Sequence, residues 1–301
     1  MLRFLFALLG LTIITSPLAS QEVNTDSLRN RLNAAKASEK VELLLELSRS
    51  FPSQNSDSAI LYADLALKLS TEQKDKLLIA DSYAALGKTY LENLRVDESM
   101  DNLMKAGDLY KELNEMEKLT SINLNLGQNL YNLRKYEEAL GYYEKAGSIA
   151  EELKNEDLIA SALFYSARVF NRMNRGEDAL EAYLSALEKW QELEKETELA
   201  MLYNDLGSYY SAHSDFLNAV KYYEKTLDIR RSQNNKRGIG IVLNNLGNQH
   251  LQLGNFDKAI EYYREASGIF REINFDLGTA ATLTGMAVIY ENLRQYKSVL
   301  D

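Results

Sequence analysis

A pattern of small and large residues returns every 40 positions along most of this 301-residue chain. Its clearest mark is a leucine followed by a glycine. The pair recurs as Leu86-Gly87, Leu126-Gly127, Leu206-Gly207 and Leu246-Gly247, and Ser166-Ala167 and Met286-Ala287 occupy the two other slots. A fixed internal repeat of this length is typical of a solenoid, in which stacked units bury one continuous core. The repeat therefore limits the fold to an array of similar units.

Further positions recur in the same step, alternating in size. They are Tyr90, Leu130, Phe170, Tyr210, His250 and Tyr290; then Ser99, Ala139, Ala179, Ala219 and Ala259; then Leu103, Tyr143, Tyr183, Tyr223 and Tyr263; then Ala106, Ala146, Ala186, Thr226 and Ala266. Apolar residues within each unit are spaced by three or four, which predicts two one-sided helices per unit. Polar pairs such as Arg134-Lys135, Arg175-Gly176 and Asn234-Asn235 predict the turns.

The glycine of each unit lies inside a predicted helix, where it costs roughly 0.5–1 kcal/mol relative to alanine. Its regular return therefore needs a packing reason. The size pattern predicts that small residues of the second helix, such as Ala139 and Ala219, face the glycines closely. The large residues at positions such as Tyr143 would then fill wider gaps on either side.

This spacing of Leu-Gly, Tyr, Ala, Tyr and Ala resembles the tetratricopeptide repeat, with 40 residues per unit in place of the usual 34. The resemblance implies an all-α, right-handed solenoid of helical hairpins. The predicted units are a divergent first repeat, five complete repeats and an incomplete one, at 41–78, 79–118, 119–158, 159–198, 199–238, 239–278 and 279–301. Residues 21–40 form a lead-in, and the last unit has room only for the start of a second helix at Tyr296.

The first 20 residues differ from the repeats. A positive start at Arg3, an apolar run from Phe4 to Ile14 and small residues before Gln21 resemble a secretory signal peptide. The run is shorter than the about 20 residues that span a bilayer, so cleavage and export are favoured over an uncleaved anchor. With no cysteine there is no lipid acceptor. We therefore expect a periplasmic or secreted protein without a stable membrane span, most consistent with a bacterial source.

The formal charge of −10 argues against a nucleic-acid partner, which requires a basic face. No phosphate loop, nucleophile elbow or zinc-protease motif is present in the sequence. The two histidines, His213 and His250, have no ligand spacing and are interpreted as a turn residue and a packing residue. The sequence thus predicts a protein that is not an enzyme and needs neither metal nor cofactor.

The resemblance also implies a concave groove lined by the first helix of each unit. Its residues are expected two before and two, five and six after the leucine of the Leu-Gly pair. The partner-binding positions carried over in this way are Gln128, Asn132, Arg168, Asn171, Arg172, Asn204, Asn244 and Asn248. Amides pair with a peptide backbone, and Arg168 with Arg172 can bind a carboxylate.

These observations predict an exported scaffold that binds a peptide or protein in its groove. Two alternatives remain open. One is the extracytoplasmic sensor region of a signalling receptor of the histidine kinase or cyclase type, truncated before its membrane segment. The other is a structural subunit that docks through an exposed end. The apolar first helix of the incomplete unit also predicts self-association through that end.

Overall fold

The computed structural model describes residues 28, 30–32, 35–51 and 56–300. The predicted signal peptide lies outside these residues. The described part of the chain is built of α-helices and contains no strand. Their bounds are α1 Ala37–Ser50, α2 Ser56–Gln73, α3 Lys76–Glu92, α4 Val96–Glu112, α5 Met116–Asn132, α6 Tyr136–Leu153, α7 Glu156–Arg172, α8 Gly176–Glu192, α9 Glu196–Ala212, α10 Phe216–Ser232, α11 Lys236–Gln252, α12 Phe256–Glu272 and α13 Asp276–Leu300.

Each helix packs mainly on the helices before and after it in the chain, as the predicted all-α solenoid requires. The odd-numbered helices α3 to α13 carry the Leu-Gly slots and are the first helices of their units; α4 to α12 are the second helices. Neighbouring first helices approach one another more closely than neighbouring second helices do. In a curved array the closer set lies on the inner side, so the first helices line the concave face.

The turns between helices share one backbone geometry, repeated every 20 residues from Lys74 to Asn274. In each turn one residue between the helices has a left-handed conformation; Leu94, for example, has φ 57°. Its N–H bonds to Leu91 and the next N–H bonds to Tyr90, which satisfies carbonyls at the end of α3. Gly254 is the one glycine among these turn residues, although the conformation costs most residues other than glycine and asparagine roughly 1–2 kcal/mol.

The glycines of the repeat make room for the large side chains of the second helices. A Cβ atom added to Gly207 would lie 2.7 Å from the Tyr223 ring, and one added to Gly247 would lie 2.6 Å from Tyr263. The sequence-based assignment of the aromatic rings to gaps beside the glycines is therefore wrong. The rings pass directly over the glycines, because a helix that lacks a Cβ at this point lets a neighbouring ring approach its backbone closely. The small residues opposite, including Ala219, are fully buried as expected.

The last helix also differs from the sequence expectation. The sequence predicts a turn and a new helix at Tyr296, but α13 continues without interruption to Leu300. Continuing α13 keeps the backbone N–H groups of residues 296–300 in the helical hydrogen-bond pattern. No helix within the described ranges has the length and apolar character needed to cross a membrane.

Candidate partner-binding groove

The predicted groove residues lie on α5, α7, α9 and α11, the first helices of four consecutive units. Most of these side chains are half-buried, whereas Arg172 and Asn248 are exposed. They therefore lie at or just below the concave surface. The structure brings some of them into contact and leaves others apart.

The centre of the groove is an ion pair between neighbouring units. Arg168 Nε on α7 lies 3.1 Å from Asp205 Oδ2 on α9, and the two side chains are only 14 % and 20 % exposed. The Arg168 guanidinium also lies over two rings, 5.3 Å from the centre of Tyr131 and 5.7 Å from that of Phe164. Arg172 Nε donates to Tyr131 Oη at 3.0 Å. Both predicted arginines therefore meet around Tyr131, and we call Tyr131, Arg168, Arg172 and Asp205 the groove cluster.

Burial acts on both charges of this ion pair. It lowers the pKa of Arg168, but the Asp205 carboxylate and nearby tyrosines outweigh it and hold the pKa above its ordinary value. Burial also raises the pKa of Asp205, against the opposing effects of Arg168 and of the Asn204 amide at 3.4 Å. Arg168 thus stays charged, while Asp205 binds a proton more readily than a solvated aspartate does.

Tyrosine hydroxyls reach the same face from below. Tyr223 Oη lies 3.0 Å from Ser208 Oγ, and Tyr263 Oη donates to Asn248 Oδ1 at 2.7 Å. Each ring passes over the glycine of its unit and emerges beside the residue two positions after the leucine. Burial raises the pKa of Tyr223 to about 12, so this hydroxyl stays protonated. The floor of the groove therefore carries neutral hydrogen-bonding groups next to the groove cluster.

The remaining predicted residues stand apart from this centre. Gln128 Nε2 donates to Asn132 Oδ1 at 3.2 Å on α5. Asn244 Oδ1 on α11 is buried without a hydrogen-bond partner among the described residues. The sequence analysis missed Asp205, which directly precedes the repeat leucine. The sequence could have indicated it, because Asp205 is the one charged residue at this position of the repeat. The equivalent residues in the other units are Ala85, Asn125, Tyr165, Asn245 and Gly285.

The two histidines lie in packing and turn environments. His250 is buried, and its ring stacks on Tyr262 with 5.4 Å between centres. Burial lowers its pKa, and Lys258 lowers it further. His213 follows the end of α9 with an exposed side chain. Within the described ranges, no group of histidine and acidic side chains is arranged to hold a metal ion.

Comparison with known proteins supports the repeat assignment. One family model for the tetratricopeptide repeat matches residues 158–232 and 238–301, and a second matches residues 124–155. Together these matches cover more than half of the chain. No curated protein sequence matches it significantly.

Several solved structures share the fold. A Rap protein complexed with Competence and Sporulation Factor has a TM-score of 0.67 at 14 % identity, covering 93 % of this chain and 82 % of that one. Aspartyl phosphate phosphatase F from Bacillus subtilis has a TM-score of 0.61 at 18 % identity, covering 87 % and 74 %. The Rap conjugation gene regulator of the plasmid pLS20, in complex with the Phr* peptide, has a TM-score of 0.60 at 14 % identity, covering 86 % and 76 %. At these identities the likeness establishes the fold alone.

Proposed function

Because this chain belongs to the tetratricopeptide-repeat family, we propose that it is a non-enzymatic scaffold that binds a peptide or protein partner along its concave face. The observation that carries this proposal is the groove cluster. Two arginines from α7 meet there on the inner face of an otherwise acidic chain. Two of the structural neighbours are complexes, one with Competence and Sporulation Factor and one with the Phr* peptide.

The chemistry of the groove favours a partner with an extended backbone and at least one carboxylate. Amide side chains such as Asn248 and hydroxyls such as Tyr223 offer both donors and acceptors to a peptide backbone. The Arg168 ion pair uses Nε, and its two terminal nitrogens make no hydrogen bond to another described residue. They are therefore available to a carboxylate approaching from the groove.

Peptides selected from a random library against the whole chain provide the test. We expect the selected peptides to be acidic, and Arg168→Ala with Arg172→Ala to weaken their binding at least tenfold, since charge-assisted hydrogen bonds contribute about 1.5–3 kcal/mol. The matched control is Arg264→Ala with Arg271→Ala, two exposed arginines on the second helix α12. Isothermal calorimetry measures the affinity, and circular dichroism checks the fold.

Equal affinity of both double variants, with equal helical signal, would place the binding surface elsewhere. If Arg168→Ala unfolds the array by leaving Asp205 unpaired, Arg172→Ala alone decides the question. Arg172 is exposed, and its loss leaves the ion pair in place.

We further propose that the protein is exported. The argument is the sequence pattern of residues 1–20, with its short apolar run and small residues before Gln21. Intact-mass measurement after expression in a bacterium with a periplasm should give a chain that begins near Gln21 in the soluble fraction. A chain retaining Met1 in the membrane fraction would contradict export with cleavage.

A docking role for the C-terminal end is favoured by α13. Leu283, Tyr290 and Leu293 are 44 %, 51 % and 43 % exposed and share one face of this helix. The equivalent residues of α11 are Leu243 and His250, both buried in the complete unit. We propose this face as a contact for a second copy of the chain or for a partner subunit. Sedimentation equilibrium tests self-association, and Leu283→Glu with Tyr290→Glu should abolish any concentration dependence.

A further inference from the structure

The carboxylate in the groove cluster is not required by the repeat. The positions equivalent to Asp205 hold alanine, asparagine, tyrosine or glycine in the other units. The junction between α8 and α9, next to the pair, is also packed less closely than the other junctions between units. The positions equivalent to Arg168 vary similarly, being Lys88, Gln128, Ser208, Asn248 and Val288. The pair between α7 and α9 is therefore a local feature of this part of the groove.

The contact between the two charges is also incomplete. It joins one nitrogen of Arg168 to one oxygen of Asp205 at 3.1 Å, whereas a strong arginine–carboxylate pair uses two parallel hydrogen bonds. Burying two charges costs several kcal/mol per ion in general, and an incomplete pair recovers that cost poorly. A carboxylate that binds the terminal nitrogens of Arg168 in a two-point contact is therefore a strong competitor for Asp205.

The groups facing Asp205 make its charge depend on Arg168. Arg168, Arg172 and Tyr165 face it from α7, Tyr183 from α8 and Tyr223 from α10, and Asn204 donates a hydrogen bond from its own helix. The tyrosines are neutral at ordinary pH, because burial raises their pKa. The balancing positive charge comes from the two arginines.

We propose that Asp205 is an internal competitor that regulates the groove: while ionised it occupies Arg168 and holds off an acidic partner, and once neutral it releases Arg168 to the partner's carboxylate. This inference rests on the proposed peptide-binding function. The partner is then an acidic peptide, and the charge of Asp205 regulates its binding.

The direction of the pH effect follows from burial. Because burial raises the pKa of Asp205, Asp205 takes up a proton at a higher pH than a solvated aspartate does. Lowering the pH therefore neutralises Asp205 before it neutralises an aspartate on a solvated peptide. Binding of an acidic peptide should strengthen as Asp205 is neutralised, and it should weaken again once the carboxylates of the peptide bind protons.

The test compares two fluorescein-labelled, acetylated pentapeptides, alternating alanine with glutamate or alanine with glutamine, by fluorescence anisotropy on the whole chain. Asp205→Asn should bind the glutamate peptide about tenfold more tightly than the unchanged protein does at pH 7.5, within the usual range of coupling between sites. The glutamine peptide should show no such gain. Affinity of the unchanged protein for the glutamate peptide should rise as the pH is lowered from 7.5, whereas that of Asp205→Asn should show no such rise.

The matched control is Asp178→Asn, which removes an exposed carboxylate paired with Arg175 at 2.7 Å outside the groove and should change nothing. Asp205→Asn with Arg168→Gln should lose the gain. Absence of a gain in Asp205→Asn, absence of binding to that variant, or equal pH dependence in both proteins would overturn the competitor role. Loss of binding in the Arg168 and Arg172 variants without a gain in Asp205→Asn would overturn this inference and leave the proposed function in place.

Discussion

Replacement of Gly127 by alanine tests whether the repeat glycines exist to admit an aromatic ring. A Cβ at this position would collide with the Tyr143 ring. The ring has little freedom to move, because Tyr143 is 1 % exposed and is stacked on Tyr165 with 5.5 Å between centres. The substitution therefore combines a helix-propensity gain of about 0.5–1 kcal/mol with an overpacking cost of about 1–3 kcal/mol.

We expect Gly127→Ala to lower the free energy of unfolding by up to about 2.5 kcal/mol, the balance of these two effects. The fourth unit argues for the lower part of this range, since Ala167 and Tyr183 are both buried there and coexist. The control is Gly141→Ala on α6, where an added Cβ meets no heavy atom within 4 Å. In that variant the free energy of unfolding should rise by about 0.5–1 kcal/mol from helix propensity alone.

Urea unfolding followed by circular dichroism measures both variants, with comparison of the m-value to detect loss of cooperativity in the array. Similar stabilisation in Gly127→Ala and Gly141→Ala would refute the reasoning. It would show that the ring moves aside without cost, and that the glycines need another explanation.

Three further predictions concern the packing of the array and its end. Ala179→Leu should lower the free energy of unfolding by about 1–3 kcal/mol, because it overpacks a fully buried site. Glu181→Leu, at an exposed position, should leave the urea midpoint nearly unchanged. Equal shifts of the midpoint in both variants would show that the helix register is wrong. Since burial lowers the pKa of His250, the unfolded chain takes up a proton first as the pH falls below about 6.5, so stability should drop between pH 7 and 5. His250→Phe should flatten this pH dependence in urea titrations, and an unchanged profile would assign it to other groups. A polar helix added after Asp301 should raise the melting temperature, because it would cover Leu283. An unchanged melting temperature in calorimetry would mean that burial of this face does not stabilise the array.

The candidate site was predicted less completely than the fold. Arg168 and Arg172 were placed in the groove by their position in the repeat, and the structure joins them through Tyr131. Their partner Asp205 was missed, because it lies 37 positions from Arg168 in the chain and belongs to the next unit. A contact between units depends on how far one helix is rotated against the next, and the repeat pattern of a single unit does not contain that angle.

The sequence by itself determined the class of fold and, except at α13, the turns at which the helices end. These properties are local, because apolar spacing selects helices and turn residues such as Asn234 accept a left-handed conformation at little cost. The tertiary structure alone decided that Tyr223 lies over Gly207, that Asp205 occupies Arg168, and that α13 continues past the expected turn. Each of these depends on which surfaces meet between helices, and side-chain volume and burial settle that only once the whole array is packed.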